Sequence, residues 1–173
     1  MIKTKISVIG LGFVGLPLYL SLLEKKFKVI GIEKKSKIFR DKVKEIKDIK
    51  KPYFGNIKLD RLIKKNINKI EISLDYKKAL NSDFIFICIP FHIDKSLRVN
   101  FEEYYKTLEQ YYKKVKKDSV IILNSTVPPG FTNNILNIFK KKKIFRNDVS
   151  LVFSPERVEP GIKYYESITS SPR

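Results

Sequence analysis

Three glycines near the N-terminus, Gly10, Gly12 and Gly15, have the spacing G-x-G-x-x-G. An apolar run from Ile6 to Ile9 precedes them, and leucines at helical spacing follow from Leu18. A strand, a glycine turn and a helix in this order are typical of a loop that binds the diphosphate of a dinucleotide, because glycines allow a tight turn and close approach of the backbone. N–H groups at the start of a helix also attract phosphate. The predicted cofactor loop includes the intervening Leu11, Phe13 and Val14.

The glycine spacing also fits an ordinary turn between a strand and a helix, so a second feature is needed. A second apolar run, Lys28 to Ile32, is followed by Glu33. In dinucleotide-binding folds, a carboxylate about 20 residues beyond the glycines binds the adenosine ribose. The two features together predict a dinucleotide cofactor.

Composition favours one ordered domain. The chain has 173 residues, of which 43% are hydrophobic and 12% aromatic, enough for a sizeable core. No apolar run is long enough for a membrane span, and no signal peptide precedes the first strand, so we expect a cytoplasmic protein without a membrane partner. A single cysteine excludes a disulfide framework and a cysteine-based zinc cluster.

The formal net charge of +18 suggests nucleic-acid binding, because basic surfaces attract phosphate backbones. The basic residues are mostly lysines spread along the whole chain, on predicted solvent faces of helices, without an RNA- or DNA-binding motif. The densest run, Lys140 to Lys143, lies at a predicted helix C-terminus, where cations suit the helix dipole. We therefore expect no nucleic-acid partner.

Apolar strands alternate with helical patterns along the chain. Together they predict an α/β fold of Rossmann type, a single domain with a doubly wound parallel sheet. The central strand is Asp83 to Pro90, apolar almost throughout, as expected for a strand covered on both faces. The other predicted strands after the first two are Ile70–Ser73, Val120–Leu123 and Val149–Phe153. The predicted helices after the first are Ser36–Lys47, a short one near Leu59–Ile63, a turn or two at Tyr76–Leu80, Phe101–Tyr112 and Thr132–Lys140, with a loop at 91–100.

Polar and special residues follow the predicted strands, at the sheet edge where α/β proteins bind ligands. Pro90 closes the central strand, and Ser125 and Thr126 follow the next one. The two hydroxyls could cap a helix, but the Pro128-Pro129 pair makes that awkward, so we favour contact with a ligand or water. Glu156 follows the last strand. With Arg157 it could form a surface ion pair, or its carboxylate could serve proton transfer or orient water.

Three further features have a structural and a functional interpretation. Cys88 lies within an apolar strand, which favours a buried small hydrophobe over a nucleophile. The tyrosines of the helix 101–112 could stack bases, but their helical spacing favours packing. His92 borders the predicted crevice and could act as a general base, although neither residue next to it in sequence is a carboxylate that would orient it.

The assembled motifs resemble the N-terminal domain of the UDP-glucose/GDP-mannose dehydrogenase family, from Ile6 to about Gly161. The resemblance rests on three segments in the expected order: Val8–Pro17, Asn124–Gly130 and Ser154–Gly161. Gly15-Leu-Pro17 and Ser154-Pro-Glu-Arg157 are more similar to UDP-N-acetylhexosamine 6-dehydrogenases than to UDP-glucose dehydrogenases. The resemblance implies NAD-dependent oxidation of a sugar C6 alcohol to a carboxylate through a thioester on a catalytic cysteine.

The resemblance also implies roles for individual residues. Thr126 and Glu156 would position or activate water, with Glu156 also transferring protons. Glu33 would hold the adenosine ribose and repel a 2′-phosphate, which favours NAD over NADP, although Lys34 and Lys35 weaken that preference. The residues expected against the UDP-sugar substrate are Glu156, Arg157, Val158 and Glu159. The implied cofactor contacts are Gly10, Leu11, Gly12, Phe13, Val14, Gly15, Glu33, Pro90, Ser125 and Thr126.

The chain departs from the family pattern in two places. Pro90-Phe91-His92 stands where the family usually has Pro-Thr-Pro, so a hydroxyl that contacts the cofactor is missing. In the family, the catalytic cysteine and lysine, the central helix that forms dimers and the UDP-binding domain lie beyond Arg173. We therefore expect residues 1–173 to be an NAD-binding domain without complete turnover, while whole family members are expected to be homo-oligomers. The alternatives are a non-catalytic NAD-binding module that works with a partner chain, and a different Rossmann dehydrogenase that uses His92 as base.

Overall fold

The computed structural model describes residues 4–33, 57–93 and 99–155. Its strands are β1 Lys5–Ile9, β2 Lys28–Ile32, β3 Ile72–Ser73, β4 Phe84–Ile87, β5 His92–Ile93, β6 Val99–Asn100, β7 Val120–Leu123 and β8 Ser150–Phe153. Six of them form one parallel sheet in the order β3-β2-β1-β4-β7-β8, while β5 and β6 form a separate antiparallel pair. The doubly wound parallel sheet that the sequence predicts is therefore confirmed.

The described α-helices connect these strands. They are α1 Gly15–Glu24, α2 Ile57–Asn66, α3 Glu102–Lys114 and α4 Phe131–Lys141, with short 3₁₀ helices at Ile67–Lys69 and Tyr76–Ala79. Two separate clusters of buried side chains pack them onto the sheet. Val8 of β1 packs with Leu20 of α1 and Ile63 of α2, whereas Ile9 belongs to the cluster with Leu108 and Ile135. Successive strand side chains point to opposite faces, so α1 and α2 cover one face and α3 and α4 the other.

Strand register brings distant parts of the sequence to one edge of the sheet. Ile9 pairs with Ile32 on one side and with Ile87 on the other, Ile87 pairs with Leu123, and Leu123 pairs with Phe153. The sheet order reverses between β1 and β4, which is the position where open α/β sheets form a ligand crevice. The segments that begin with Gly10, Glu33, Cys88, Asn124 and Ser154 therefore leave the sheet beside one another.

Element boundaries differ from the sequence predictions in small ways. The strands β3, β4 and β8 are shorter than predicted, and α3 and α4 each extend one or two residues further at their ends. The predicted loop 91–100 contains the β5–β6 pair, whose two-residue strands are too short to show a periodicity. The predicted helix Ser36–Lys47 lies outside the described residues.

Asp83 links the start of β4 to two neighbouring segments. Its Oδ2 accepts a hydrogen bond from the backbone N–H of Lys5 at 2.7 Å, and its Oδ1 accepts one from the Lys116 ammonium. The hydrogen bond from Lys116 and that from Lys5 hold the pKa of this carboxyl below its ordinary value of 3.8. A carboxyl with a depressed pKa stabilises the fold above its unfolded-state pKa, and that contribution is lost as the pH falls through the folded-state pKa.

We expect Asp83→Asn to lower the free energy of unfolding by about 1 kcal/mol at pH 7, a magnitude discounted for the partial exposure of the pair. Since the native carboxylate is protonated in strong acid, the difference between variant and wild type should shrink below pH 3.8. Urea denaturation at neutral pH and in acid measures both values. Glu102→Gln, which removes the exposed pair with Lys106, is the matched control and should change little. A pH-independent difference for Asp83→Asn would contradict the assignment.

Candidate functional site

The glycine turn has the backbone geometry that its spacing predicts. Gly10 has a φ of 86°, in the left-handed region that favours glycine, and a Cβ there would lie 3.0 Å from the carbonyl oxygen of Cys88. A Cβ on Gly15 would lie 1.9 Å from the carbonyl oxygen of Gly10, closer than any tolerated contact. A Cβ on Gly12 would meet no heavy atom of the described residues within 4 Å, its two chain neighbours aside. Gly10 and Gly15 therefore hold the turn together, whereas Gly12 faces open space.

Helix α1 begins at this turn, and its N-terminus can accommodate an anion. Its N-cap residue, Val14, makes no side-chain cap hydrogen bond, and its first turn contains no acidic residue. Pro17 in that turn has no N–H group, which makes it compatible with a helix start. The positive end of the helix dipole is thus left without a negative side chain from the helix itself.

Glu33 contacts the glycine turn directly. Its carboxylate accepts a hydrogen bond from the backbone N–H of Leu11, and its own backbone N–H donates to the carbonyl oxygen of Ser73 at 3.0 Å. Leu11 is buried against Gly31, where a Cβ would lie 2.7 Å from the leucine Cδ1. The end of β2 and the glycine turn are therefore packed and hydrogen-bonded together, and the carboxylate lies at the crevice.

A cavity of about 500 Å³, called cavity A below, opens over the ends of β1, β2 and β4. It extends along one face of α3. Its lining consists of Ile9, Gly10, Gly12, Ile32, Glu33, Leu74, Tyr76, Cys88, Ile89, Pro90, Phe91, Asn100, Glu103, Tyr104, Thr107, Gln110 and Tyr111.

A second cavity of about 330 Å³, called cavity B, lies between the glycine turn and the loop after β7. Its lining consists of Gly12, Phe13, Val14, Cys88, Ile89, Pro90, Phe91, Asn124, Ser125 and Thr126. Gly12 and the segment from Cys88 to Phe91 line both cavities. The two cavities therefore adjoin along a common border that includes the open side of Gly12.

Most of the residues predicted to bind a cofactor come together in these cavities. Gly10 and Glu33 line cavity A, while Phe13, Val14, Ser125 and Thr126 line cavity B. Gly12 and Pro90 border both. Leu11 and Gly15 are buried behind the turn and support it. Glu156, Arg157, Val158 and Glu159 lie outside the described residues.

The loop after β7 is held by side-chain hydrogen bonds to neighbouring strands. The Asn124 amide donates to the carbonyl oxygen of Ser154 at 2.5 Å, and its Oδ1 lies 3.5 Å from the Cys88 Sγ. The Ser125 hydroxyl donates to the carbonyl oxygen of Ile89 at 2.7 Å. Helix α4 has Gly130 as N-cap and no side-chain cap hydrogen bond, so neither Ser125 nor Thr126 caps it. Thr126 is exposed at the wall of cavity B.

The crevice has a different charge from the rest of this basic chain. Among the described lining residues of both cavities, the charged side chains are the carboxylates Glu33 and Glu103, and none is Lys or Arg. At the outer rim of cavity A, a hydrogen bond from Lys114 lowers the pKa of the Tyr76 phenol. Burial raises the pKa of Tyr104 and Tyr111 far above the usual tyrosine value, so both stay neutral. The described walls thus suit a ligand with donor groups.

Some lining residues of cavity A were not predicted from the sequence to belong to the site. Glu103, Tyr104, Thr107, Gln110 and Tyr111 form one face of α3 along cavity A. These residues recur at helical spacing, so they share one face of the helix, and that face mixes polar residues with tyrosines. The mixed face is visible in the sequence and could have indicated that this side of the helix borders a cavity. Tyr104, Tyr111 and Tyr112 are buried, so the packing interpretation of the tyrosines is confirmed. Cys88 is also buried, as predicted.

Comparison with known proteins identifies the type of site. Residues 4–172 match the sequence family described as the UDP-glucose/GDP-mannose dehydrogenase family, NAD binding domain. The chain belongs to this family. NAD is accordingly the cofactor of the domain that it represents.

Several proteins are similar in sequence to this chain over most of its length. Protein CapL of Staphylococcus aureus is 32% identical over 95% of this chain, and UDP-N-acetyl-D-mannosamine dehydrogenase of Methanocaldococcus jannaschii is 32% identical over 92% of it. The chain spans 38% and 36% of their lengths. It also spans 17% of an uncharacterized M. jannaschii protein that is 32% identical.

Solved structures share the fold. The NDP-N-acetyl-D-galactosaminuronic acid dehydrogenase of Methanosarcina mazei matches with a TM-score of 0.79 at 26% identity, over 95% of this chain and 36% of that one. The UDP-D-ManNAc dehydrogenase of Pyrococcus horikoshii matches with a TM-score of 0.77 at 20% identity, over 94% of this chain and 38% of that one. The second likeness concerns the fold alone.

Two further properties concern residues 4–33, 57–93 and 99–155. No helix in those ranges is long and apolar enough to cross a bilayer. The same ranges contain no group of three or more His, Cys, Asp or Glu side chains that could hold a metal ion.

Proposed function

We propose that the two cavities hold the two halves of NAD, with the adenosine in cavity A and the nicotinamide half in cavity B. The observation that carries this proposal is the open side of Gly12, which borders both cavities and has room where a side chain would stand. The diphosphate that joins the two halves would lie there, over the N-terminus of α1. When bound, NAD supplies the hydride acceptor, and the residues of this chain bind and orient it.

Glu33 would bind the hydroxyls of the adenosine ribose. A carboxylate has about four lone-pair positions, so it can accept from the Leu11 N–H and from two ribose hydroxyls together. A 2′-phosphate at this place would meet a carboxylate, and the described lining of cavity A offers no Lys or Arg to compensate. Since like charges held close together repel strongly, the cavity favours NAD over NADP.

For the reaction, we propose oxidation of a UDP-sugar at C6, with UDP-N-acetylhexosamines as the favoured substrate class. The name of the UDP-N-acetyl-D-mannosamine dehydrogenase relative and the motifs of this chain support that class. Thr126 would help to position the attacking water, because it is exposed at the wall of cavity B and follows the strand beside β8. Glu156 would transfer protons, while Arg157, Val158 and Glu159 would contact the sugar. Asn124 would help by fixing Ser154, which precedes Glu156 in the chain. The homo-oligomeric state and the cytoplasmic location stay predictions.

Isothermal calorimetry with NAD and NADP tests the cofactor site. We expect NAD to bind and NADP to bind at least about 10-fold more weakly, equivalent to about 1.4 kcal/mol, because the extra phosphate lacks a cation and meets Glu33. Guanosine diphosphate, which carries a diphosphate without the nicotinamide half, serves as a control for unspecific attraction to the basic surface. Equal heats for NAD, NADP and this control, all vanishing with added salt, would contradict a built site.

A further inference from the structure

Five aromatic side chains form one connected group beside the two cavities. This aromatic cluster consists of Phe91, Phe101, Tyr104, Tyr105 and Phe131. Phe91 stacks on Tyr104 with ring centroids 4.4 Å apart, and its edge contacts are with Phe101 at 5.0 Å and Phe131 at 5.9 Å. Tyr105 stacks on Phe131 at 5.5 Å. The geometries are the stacked and edge-on arrangements that aromatic rings prefer.

The members of the aromatic cluster come from segments that lie beside the two cavities. Phe101 and Tyr104 belong to the start of α3, whose face lines cavity A. Phe131 begins α4 and directly follows the loop 125–130, whose first residues line cavity B. Phe91 itself borders both cavities. Its ring therefore contacts both Tyr104, from the helix that lines cavity A, and Phe131, which follows the loop that lines cavity B.

Ring packing holds the central tyrosine of this cluster. Tyr104 is only 2% exposed, and its ring contacts both Phe91 and Phe131. The Ser125 hydroxyl ties the loop after β7 to the carbonyl oxygen of Ile89. Rings have few rotatable bonds, so a packed cluster of this kind holds its backbone segments at defined separations.

We propose that Phe91 is a positioning residue that sets the distance between the walls of cavities A and B, and so allows both halves of NAD to bind at once. The inference rests on the proposed function, because it concerns a ligand that spans both cavities. A ligand with two linked halves gains affinity only where both subsites are presented in the correct relative geometry. A ligand confined to cavity A does not depend on that geometry.

The test compares Phe91→Leu with Phe139→Leu. Phe139 is also buried and packs against an aromatic ring, that of Tyr112 at 4.6 Å, but it lines neither cavity. We expect Phe91→Leu to weaken NAD binding about 10-fold and ADP binding by less than about 2-fold, since ADP lacks the nicotinamide half that would enter cavity B. Phe139→Leu should leave the affinity for both ligands unchanged. Calorimetry at one protein concentration measures all of these values.

Hydrogen exchange without ligand provides a second readout. We expect Phe91→Leu to speed amide exchange both in the loop 125–130 and at the start of α3, while Phe139→Leu leaves both segments unchanged. Equal weakening of NAD and ADP, or unchanged exchange in either segment, would overturn the positioning role. Failure of the wild-type chain to bind NAD would overturn the proposed function instead, and the exchange result would still decide whether Phe91 couples the two walls.

Discussion

Replacing Gly12 with Ala is expected to weaken NAD binding at least about 100-fold, equivalent to about 2.7 kcal/mol, without loss of stability. The new methyl group would enter the space shared by cavities A and B, where the diphosphate is proposed to lie. Apart from the adjacent residues of the turn, no described part of the chain lies within 4 Å of that position, so the methyl group fits the free protein without a clash there. Removing a flexible glycine should even raise the free energy of unfolding by up to about 1 kcal/mol. Calorimetry and urea denaturation of the same preparation measure both effects.

Gly15→Ala is the matched control, because it adds the same methyl group three positions further along the chain, at a buried site. Alanine is favoured over glycine within a helix by about 1 kcal/mol, so propensity alone predicts stabilisation. A steric clash outweighs this gain, because the new Cβ would lie 1.9 Å from the Gly10 carbonyl oxygen. Neither atom can move away without a shift of the backbone. We expect a loss of about 3 kcal/mol in the free energy of unfolding, at the upper end for overpacking. If Gly12→Ala bound NAD like the wild type, the diphosphate would not lie over the turn.

The parallel sheet is predictable because its signals are local. The runs Phe84–Ile87 and Val120–Leu123 are wholly apolar, and Ile6–Ile9 is apolar except for Ser7. Polar residues, glycine or proline lie at or near the ends of each run. A run of this kind fits a strand covered on both faces. The gathering of strand ends at one edge then follows from parallel pairing, so the positions of Gly10 and Glu33 relative to each other are also predictable.

The residues of α3 that line cavity A cannot be predicted from the sequence in the same way. Which face of α3 meets the cavity depends on how Tyr104, Leu108 and Tyr112 pack against the sheet, and that packing involves strands far away in sequence. Periodicity identifies the buried stripe but not what lies beside it. Glu103 and Gln110 therefore become part of the site only when the fold is known.

Phe91 illustrates what a motif comparison can and cannot reveal. The sequence indicates that a hydroxyl is missing at this position. It does not reveal the contacts that the ring makes instead, because Phe101 and Phe131 lie on different elements. The Leu11 contact of Glu33 is similar: spacing predicts a carboxylate at the ribose, but not that the same carboxylate binds the glycine turn.

The dual contact of Glu33 gives the second large expected effect. We expect Glu33→Gln to weaken NAD binding about 30-fold, equivalent to about 2 kcal/mol, because hydrogen bonds to two ribose hydroxyls lose their charged acceptor. The amide oxygen of Gln can still accept from the Leu11 N–H, so the free energy of unfolding should fall by no more than about 1 kcal/mol. Removing the negative charge should also bring NADP affinity closer to that for NAD. Calorimetry with both cofactors and urea denaturation measure these changes.

Glu103→Gln tests whether Glu33 binds NAD through direct hydrogen bonds or only through the negative charge that it adds to cavity A. Glu103 is the other carboxylate in the described lining of cavity A, so its replacement removes the same charge from the same space. If Glu33 acts through direct hydrogen bonds, the Glu103 variant should lose less than about 3-fold in NAD affinity, since a charge acting through solvent contributes little. Equal losses for the two variants would mean that the cavity selects NAD by its overall negative potential. A loss confined to Glu103→Gln would place the ribose at the α3 end of cavity A, away from the glycine turn.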